Sequence, residues 1–459
     1  MIIVFKMLKD HEFLKKFFKV AFPVMLHALL LFVVNFIDNI MVGSVSNEAI
    51  SGVFAANQAT YILMIAAYGV IIGAGIYIQQ FQGAKDEDHL RQSFRYKIVI
   101  MLGFIIFITT IYYLFGHHLV WMYCHKDINS EAIFAEGMKY FNLIVLSYIP
   151  YCMSMIYTTT VREIGKTKYA LIAGIVAVLA NVGFNAFFIF ACNLGVSGAA
   201  LGTIVARILE LIVIVVLCHY KKFSFTHQIF KPFKIEKSLF ITITKKSVVF
   251  LANELFWVIG TILLSLAYAQ RDGVLSALSV VNSMSNVFNI IFQGLSIGIG
   301  VLVGGYLGQN DFDNAKRYTK NVYYLGFLLS TIFGVVIMLF SSLIPKMFAE
   351  IDPNQIGVAR NLLLVYGALL WCNCLYCCCY MTLKTGGQAV VTFCLDSGLM
   401  WAVNVPLAWI LTSFTNLPIL VIYGLVMGFD LIKFIIGISY VKKGKWLRNL
   451  TTEGDVYNV

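Results

Sequence analysis

The sequence predicts an all-α integral membrane protein of about twelve transmembrane helices, arranged as two six-helix lobes related by a pseudo-two-fold axis along the membrane normal. Three observations carry this. Hydrophobic residues make up 60% of the chain and charged residues 12%, with a mean hydropathy of +0.83, which leaves too little polar surface to clothe a soluble core of 459 residues. Apolar runs of about 20 residues, the length that crosses a bilayer, recur along the whole chain. One pattern also occurs twice: GVIIGAGIYIQQFQG from Gly69 and GLSIGIGVLVGGYLG from Gly294. Glycines at 69, 73, 75 and 83 recur at 294, 298, 300 and 308, an offset of 225 each time, so the chain reads as two fused copies of one unit. Both copies end in a charged segment, AKDEDHLRQ or QNDFDNAKR, as membrane helices do at the lipid surface. Small residues at such spacing let helices approach closely in lipid.

Residues 1–19 scatter charges among short apolar runs and have no small-residue cleavage site, so they read as an amphipathic lead-in and not a removable signal. The N-terminal lobe, 20–219, takes spans near 20–43, 52–82, 98–116, 132–160, 169–191 and 196–219. A polar stretch, 220–246, carries Lys221, Lys222, Lys231, Lys234, Lys237, Lys245 and Lys246 and reads as a basic linker. The C-terminal lobe, 247–440, takes spans near 247–269, 278–304, 321–344, 361–383, 389–413 and 417–440, and 441–459 forms a tail. An even number of spans per lobe gives both copies one orientation, which sets the axis along the membrane normal. Of the 34 Lys and Arg, only Lys126, Lys139, Arg271, Lys346 and Arg360 fall opposite the termini, and Arg207 and Lys433 fall inside spans. The positive-inside rule therefore places both termini in the cytoplasm of a multi-pass plasma-membrane protein. The net charge of +11 follows this topology and is not gathered into the basic face that nucleic-acid binding needs.

Carboxylates inside spans are the main functional signal, since a charge in hydrocarbon costs at least about 2.5 kcal/mol and persists in cavities or pairs. Asp38 in LFVVNFIDNIMVG and Glu254 in FLANELFWVIG each occupy the opening span of a lobe, without an obvious local partner. Such an acid can exchange a proton for Na⁺ or for a cationic compound. Asp396, in FCLDSGLMWAVNVPLAW, reads as part of a shaped helix whose polar groups satisfy one another. Asn181 and Asn185, four apart, share one face of span 5 and can offer neutral oxygens to a cation held by Asp38, or bond across helices. Trp257, one turn from Glu254, is a candidate wall for flat or cationic compounds. Arg207 with Glu210, and Asp430 with Lys433, are charge-reversed pairs at an offset of 223, each spaced three residues apart, and read as structural ion pairs. Ten cysteines include Cys372, Cys374, Cys377, Cys378 and Cys379. Consecutive helical positions diverge, so this cluster reads as soft packing and not as a metal site. The chain has no phosphate-cradling Gly-Lys-Ser/Thr loop, and of its histidines only His27 lies clearly inside a span.

The segments FPVMLHALLLFVVNFIDNIMVG, GVIIGAGIYIQQFQGAKD, VREIGKTKYALIAGIVAVLANVGFNAFFIF with NLGVSGAALGT, and LKTGGQAVVTFCLDSGLMWAVNVPLAW together resemble the multidrug and toxic compound extrusion (MATE) family. The resemblance runs from Phe18 to about Leu450. It implies a twelve-helix antiporter exporting hydrophobic, mainly cationic compounds against an inward Na⁺ or H⁺ gradient. It also implies a polar cation site in the N-terminal lobe at Asp38, Asn181, Asn185 and Thr203, where Asn185 stands at a position other members fill with Asp or Asn. In the C-terminal lobe it implies an acid at Glu254 and places Asn373 where other members carry Asp.

The expected function is thus a Na⁺- or H⁺-coupled exporter of organic cations and hydrophobic drugs, acting as a monomer in membrane lipid, with no cofactor, no nucleic-acid partner and no metal beyond Na⁺. Two alternatives stand beside it. A lipid-linked saccharide flippase of the same superfamily would need Arg or Lys in its central cavity for a pyrophosphate, and only Arg207 and Lys433 are placed for that. A membrane-embedded enzyme would need a clustered acid-base or metal set inside the spans.

Overall fold

The computed structural model describes residues 7–124, 129–229, 234–271, 274–348 and 355–452. Lys126, Lys231 and the outer ends of the lead-in and tail lie outside the described residues. Twelve helices among the described residues are long and apolar enough to cross a membrane: α1 (His11–Gly43), α2 (Asn47–Ala84), α3 (Glu87–Cys124), α4 (Ser130–Glu163), α5 (Thr167–Ala191), α6 (Gly195–Tyr220), α7 (Lys237–Tyr268), α8 (Val274–Gly308), α9 (Phe312–Leu339), α10 (Ile356–Thr385), α11 (Ala389–Phe414) and α12 (Ile419–Lys442). No strand occurs among the described residues, so the all-α twelve-helix expectation holds. Several helices outrun their predicted spans, because a helix continues past the hydrocarbon into charged sequence wherever backbone hydrogen bonding stays internal. Thus α1 runs unbroken from His11, α3 starts at Glu87, and the polar stretch after α6 is helical again from Lys237.

The helices form two compact units, one of Leu26–Leu251 and one of the described parts of Met1–Met25 and Ala252–Glu453. The division falls inside α1 and inside α7. The opening of α1 therefore packs with the C-terminal unit, and the opening of α7 with the N-terminal unit. The repeated glycines are the reason each arm fits. In the C-terminal unit a Cβ on Gly298 would lie 2.3 Å from the Phe17 ring and one on Gly294 would lie 2.6 Å from Met25, both on α1. In the N-terminal unit a Cβ on Gly73 would lie 2.2 Å from Ser247 Oγ and 2.9 Å from its backbone nitrogen, and one on Gly69 would lie 3.1 Å from Leu251 Cα, both on α7. Positions 69 and 73 thus do for α7 what 294 and 298 do for α1, which is small-residue packing of helices in lipid.

The charged ends of the repeat are capping devices. After α2, Lys85 adopts a left-handed φ of 59° and Asp86 accepts the His89 N–H at 3.1 Å to open α3. After α8, Asn310 has φ 60° and Asp311 accepts the Asn314 N–H at 3.1 Å to open α9. In the N-terminal unit, Arg95 of α3 donates to the carbonyls of Ile229 (2.9 Å), Lys234 (2.9 Å) and Gln228 (2.7 Å), fastening the segment between α6 and α7. Two helices that bear polar candidates depart from α geometry. The end of α5, Phe187–Ala191, is a π-helical turn, as are Cys394–Gly398 and Met400–Asn404 in α11. Such turns re-aim side chains and recur at functional positions.

Candidate functional site

In the N-terminal unit, α1, α2, α4, α5 and α6 enclose a cavity of about 390 Å³, a volume suited to a drug-sized molecule. Its polar lining includes Asn35 and Asp38 (α1), Tyr61 (α2), Tyr140, Tyr148 and Tyr151 (α4), Asn181 and Asn185 (α5), and Thr203 and Arg207 (α6). The sequence-predicted quartet is brought together. Asn185 Nδ2 donates to Asp38 Oδ1 at 2.9 Å. In one amide orientation Asn181 Nδ2 donates to Thr203 Oγ1 at 3.2 Å. In the other, which satisfies both ends of the amide, its nitrogen reaches the two Asp38 oxygens at 2.8 and 3.1 Å and its oxygen accepts from Thr203 at 3.2 Å.

Local sequence explains this convergence. The four-residue spacing stacks Asn181 and Asn185 on one face of α5, and Gly202 lets α6 come close, since a Cβ there would sit 2.0 Å from Asn185 Oδ1 and 2.7 Å from its backbone nitrogen. Asn181 and Asn185 are buried, and among the described residues Asn185 Oδ1 has no hydrogen-bond partner. No Lys or Arg among the described residues lies within ion-pair distance of Asp38. Chemically the set offers one carboxylate and three neutral oxygen-bearing side chains, hard donors suited to a small cation.

In the C-terminal unit, Glu254 is not alone as the sequence suggested: Lys384 Nζ lies 3.7 Å from its Oε1. The partner escaped notice because α10 runs on to Thr385, carrying Lys384 past the predicted end of its span into a buried position. From there a polar chain continues. Lys384 donates to Tyr380 OH at 3.4 Å, and Asn253 donates both to that hydroxyl at 3.2 Å and to Asp396 at 2.9 Å. Tyr376 OH donates to the other Asp396 oxygen at 2.5 Å, and Ser397 donates to Asn253 Oδ1 at 2.8 Å. Asp396 is thus satisfied by neighbours. Asn373 donates to Asp430 at 2.9 Å and makes no hydrogen bond with Glu254. Trp257 is 40% exposed; its carbonyl accepts from Thr261 at 2.8 Å.

The two reversed pairs meet. Arg207 Nη1 donates to Glu210 Oε2 at 2.8 Å, and Lys433 lies 3.7 Å from Asp430. Among the described residues no group of three His, Cys, Asp or Glu is placed to hold a metal, and four of the five clustered cysteines are buried. Sequence reasoning missed a buried pair in the N-terminal unit, Lys97 with Glu163 at 2.6 Å, and the contact of Arg162 Nη2 with His27 Nδ1 at 2.9 Å. Lys97, Arg162 and Glu163 abut predicted span ends, the one signal that marks them, and His27 lies inside the first span.

A twelve-helix membrane protein of two repeated units, each holding a polar cluster inside its membrane-crossing helices, has the architecture of a secondary transporter. The sequence profile of the MatE family matches residues 23–187 and 248–410. The chain belongs to that family. It is 22% identical over 391 residues to the probable multidrug resistance protein YoeA of Bacillus subtilis, covering 81% of each chain. To the probable multidrug resistance protein NorM of Listeria monocytogenes it is 23% identical, covering 97% of this chain and 98% of that one. Among solved structures, a crystal structure of MATE in complex with MaD3S superposes with a TM-score of 0.84 at 15% identity, over 94% of this chain and 96% of that one. An outward-facing multidrug resistance MATE family transporter of the MOP superfamily does so with a TM-score of 0.84 at 15% identity, over 94% and 95%.

Proposed function

We propose that this chain is a Na⁺- or H⁺-coupled antiporter that exports hydrophobic, mainly cationic compounds, with Asp38 as the group that carries coupling. The observation behind this reading is the setting of Asp38: a carboxylate on a cavity wall, hydrogen-bonded by amides and, among the described residues, with no basic residue within ion-pair distance. A carboxylate without a fixed counter-charge can be neutralised by a proton, by Na⁺ or by a cationic cargo, but only by one at a time, and that exclusivity is antiport. Asn181, Asn185 and Thr203 would supply the neutral oxygens around a bound cation. Glu254 already has a counter-charge in Lys384, so coupling is assigned to the N-terminal unit. Relatives named as multidrug resistance proteins favour the same substrate class. An anionic lipid-linked saccharide fits less well, because Arg207 and Lys433 each already hold an acid. The protein is read as a monomer in the plasma membrane with both termini cytoplasmic.

The test is Asp38→Asn, which keeps the shape and removes the charge. In proteoliposomes with a Na⁺ or an H⁺ gradient imposed separately, the wild type should show cargo-dependent flux of one ion, and the variant should show none at equal reconstituted amounts. Gradient-driven export by Asp38→Asn at the wild-type rate would remove Asp38 from coupling.

A further inference from the structure

We propose that His89 makes the entry of α7 respond to cytoplasmic pH: charged, the imidazole fastens Glu236 to the N-terminal unit and slows transport, and neutral, it lets Glu236 go. Transport, and a cytoplasmic setting for this end of α2, α3 and α7, come from the export reading above. The latch itself is independent of both.

Glu236 directly precedes α7, as Asp10 directly precedes α1. Each accepts at its carbonyl the N–H four residues on that opens its helix, Phe240 at 2.9 Å and Leu14 at 3.1 Å. Each carboxylate is then held by the beginning of the helix that follows the glycine repeat. In the C-terminal unit the holders of Asp10 are Arg317 at 2.6 Å and Asn321 at 3.1 Å on α9, and a guanidinium keeps its charge at every pH a cell meets. In the N-terminal unit the place of Arg317 is taken by Gln92, at the repeat offset of 225. Its amide accepts the Glu236 N–H at 2.8 Å and donates to Glu236 Oε1 at 3.4 Å and to Asp88 at 2.8 Å. The basic group facing Glu236 is His89, whose Nε2 lies 3.6 Å from Oε2. A permanent charge in one unit is thus a titratable one in the other.

Protonation of the ring decides the contact. Nδ1 lies 2.7 Å from Asp86 Oδ2, and a carboxylate only accepts, so Nδ1 carries a proton in either state. In the neutral ring that is the sole N–H, and Nε2 turns a lone pair toward the Glu236 carboxylate. Protonation places an N–H there, and repulsion becomes attraction. Phe81, stacked on the ring at 5.3 Å, fixes its plane, and the His89 side chain is 13% exposed, so the pair is screened less than one at the open surface. Of the other charged groups nearby, Asp88 on α3 is taken by Arg91 at 3.5 Å and by Gln92, while Lys85 and Lys237 flank the two acids in sequence. An imidazole changes charge between about pH 5 and 8, which spans the cytoplasmic range. Capping does not explain the choice of residue: the equivalent of His89 in the C-terminal unit, Asn314, donates to Asp311 at 2.7 Å with a neutral amide. Because α7 is divided between the two compact units, a tighter hold on its opening restrains a helix that both share.

Hydrogen exchange of the first turn of α7, measured on the purified full chain in detergent at about pH 6 and about pH 8, reads the hold directly. Comparing the wild type with His89→Asn, which copies the Asn314 cap, cancels the intrinsic pH dependence of exchange. The wild type should be protected about two- to fivefold more than the variant at the lower pH, the yield of a part-exposed ion pair. At the higher pH the two should match. Glu236→Gln alone should lose the same protection, and adding His89→Asn to it should change nothing at either pH. Cargo efflux from proteoliposomes buffered identically on both faces should be slower in the wild type than in His89→Asn by a similar factor at the lower pH, and equal at the higher. A protection ratio that ignores pH, a pH dependence that survives Glu236→Gln, or an efflux ratio that ignores pH would each overturn the proposal. If neither form moves cargo while protection still follows pH, export falls and the latch stands. If efflux is gradient-driven while protection ignores pH, the latch falls and export stands.

Discussion

Removing either partner of the Lys97–Glu163 pair should be among the most damaging single changes in the N-terminal unit. Lys97 Nζ lies 2.6 Å from Glu163 Oε2, 3.1 Å from Thr159 Oγ1 and 3.2 Å from Thr160 Oγ1. Three acceptors match the three protons of an ammonium. The Lys97 side chain is 0% exposed and that of Glu163 is 11% exposed, and α2 makes room for the carboxylate with Gly75, whose Cβ would stand 2.3 Å from Oε1. Glu163→Gln leaves a buried ammonium facing only neutral acceptors. Breaking a buried pair in this way costs about 3–5 kcal/mol, and at roughly 2–4 °C per kcal/mol for units of this size the melting temperature should fall by about 10 °C. Lys97→Met should cost a similar amount for the mirror reason. The double variant Lys97→Met with Glu163→Gln carries no buried charge, and should recover at least half the loss. Thermal unfolding in detergent, followed by intrinsic fluorescence, reads all four corners of the cycle. If the double variant melts at the temperature expected from adding the two single losses, the residues act independently and the argument fails.

Other expectations follow from single contacts. Gly202→Ala should push α6 away from Asn185 and lower coupled transport by tenfold or more with a smaller loss of stability, checked by flux and melting on the same preparation; unchanged flux would mean that α6 need not approach α5 so closely. Arg95→Ala should release three carbonyls between α6 and α7 and speed limited proteolysis there, whereas an unaltered cleavage rate would show that the segment is held by other contacts. At Asp10, burial acts to raise the carboxyl's pKa, but the Phe13 N–H at 3.1 Å, the Arg317 guanidinium at 2.6 Å and the Asn321 amide at 3.1 Å outweigh it and hold the group below its ordinary range. A depressed carboxyl contributes stability above its unfolded-state pKa and loses it as pH falls through the folded one. Melting of Asp10→Asn should therefore differ from the wild type at neutral pH and converge with it toward about pH 3; a constant difference across that range would contradict the sign.

The architecture was legible in the sequence because lipid imposes length, hydropathy and repeat period on every span. Asp38, Asn181 and Asn185 were legible for a related reason: they are polar residues in apolar runs, and the two asparagines sit at helical spacing, whereas Thr203 was placed with them by the family resemblance alone. What could not be read were partners from distant helices. Glu254 and Lys384 are 130 positions apart in the numbering, and no periodicity links α7 to the end of α10. Lys97 and Glu163 stood just beyond predicted spans, where a charge is expected to be solvated, and only packing reveals that Lys97 is fully enclosed. Arg207 was legible as one half of a pair, but the exposure of its side chain to a cavity depends on α1, α2, α4 and α5 together.

The two halves retained their packing code and diverged in chemistry. Gly69 and Gly73 correspond to Gly294 and Gly298, and Lys85–Asp86 to Asn310–Asp311, with the same close approaches and the same caps. Such positions tolerate little, because a Cβ at any of the four glycines would meet an atom of the neighbouring helix within 3 Å, at Gly73 the Ser247 backbone nitrogen among them. Side chains facing a polar interior are under no such restraint. In the N-terminal unit the opening acid, Asp38, is met by the amides of Asn185 and, in one orientation, Asn181. In the C-terminal unit the opening acid, Glu254, meets Lys384, and Asp396 is closed off by Asn253 and Tyr376. A carboxylate with a fixed ammonium beside it gains little from a second cation, whereas one held by neutral donors keeps its full charge for an exchanging ion. Duplication thus supplied two equivalent scaffolds in which one opening acid has an ammonium beside it and the other is met by amides.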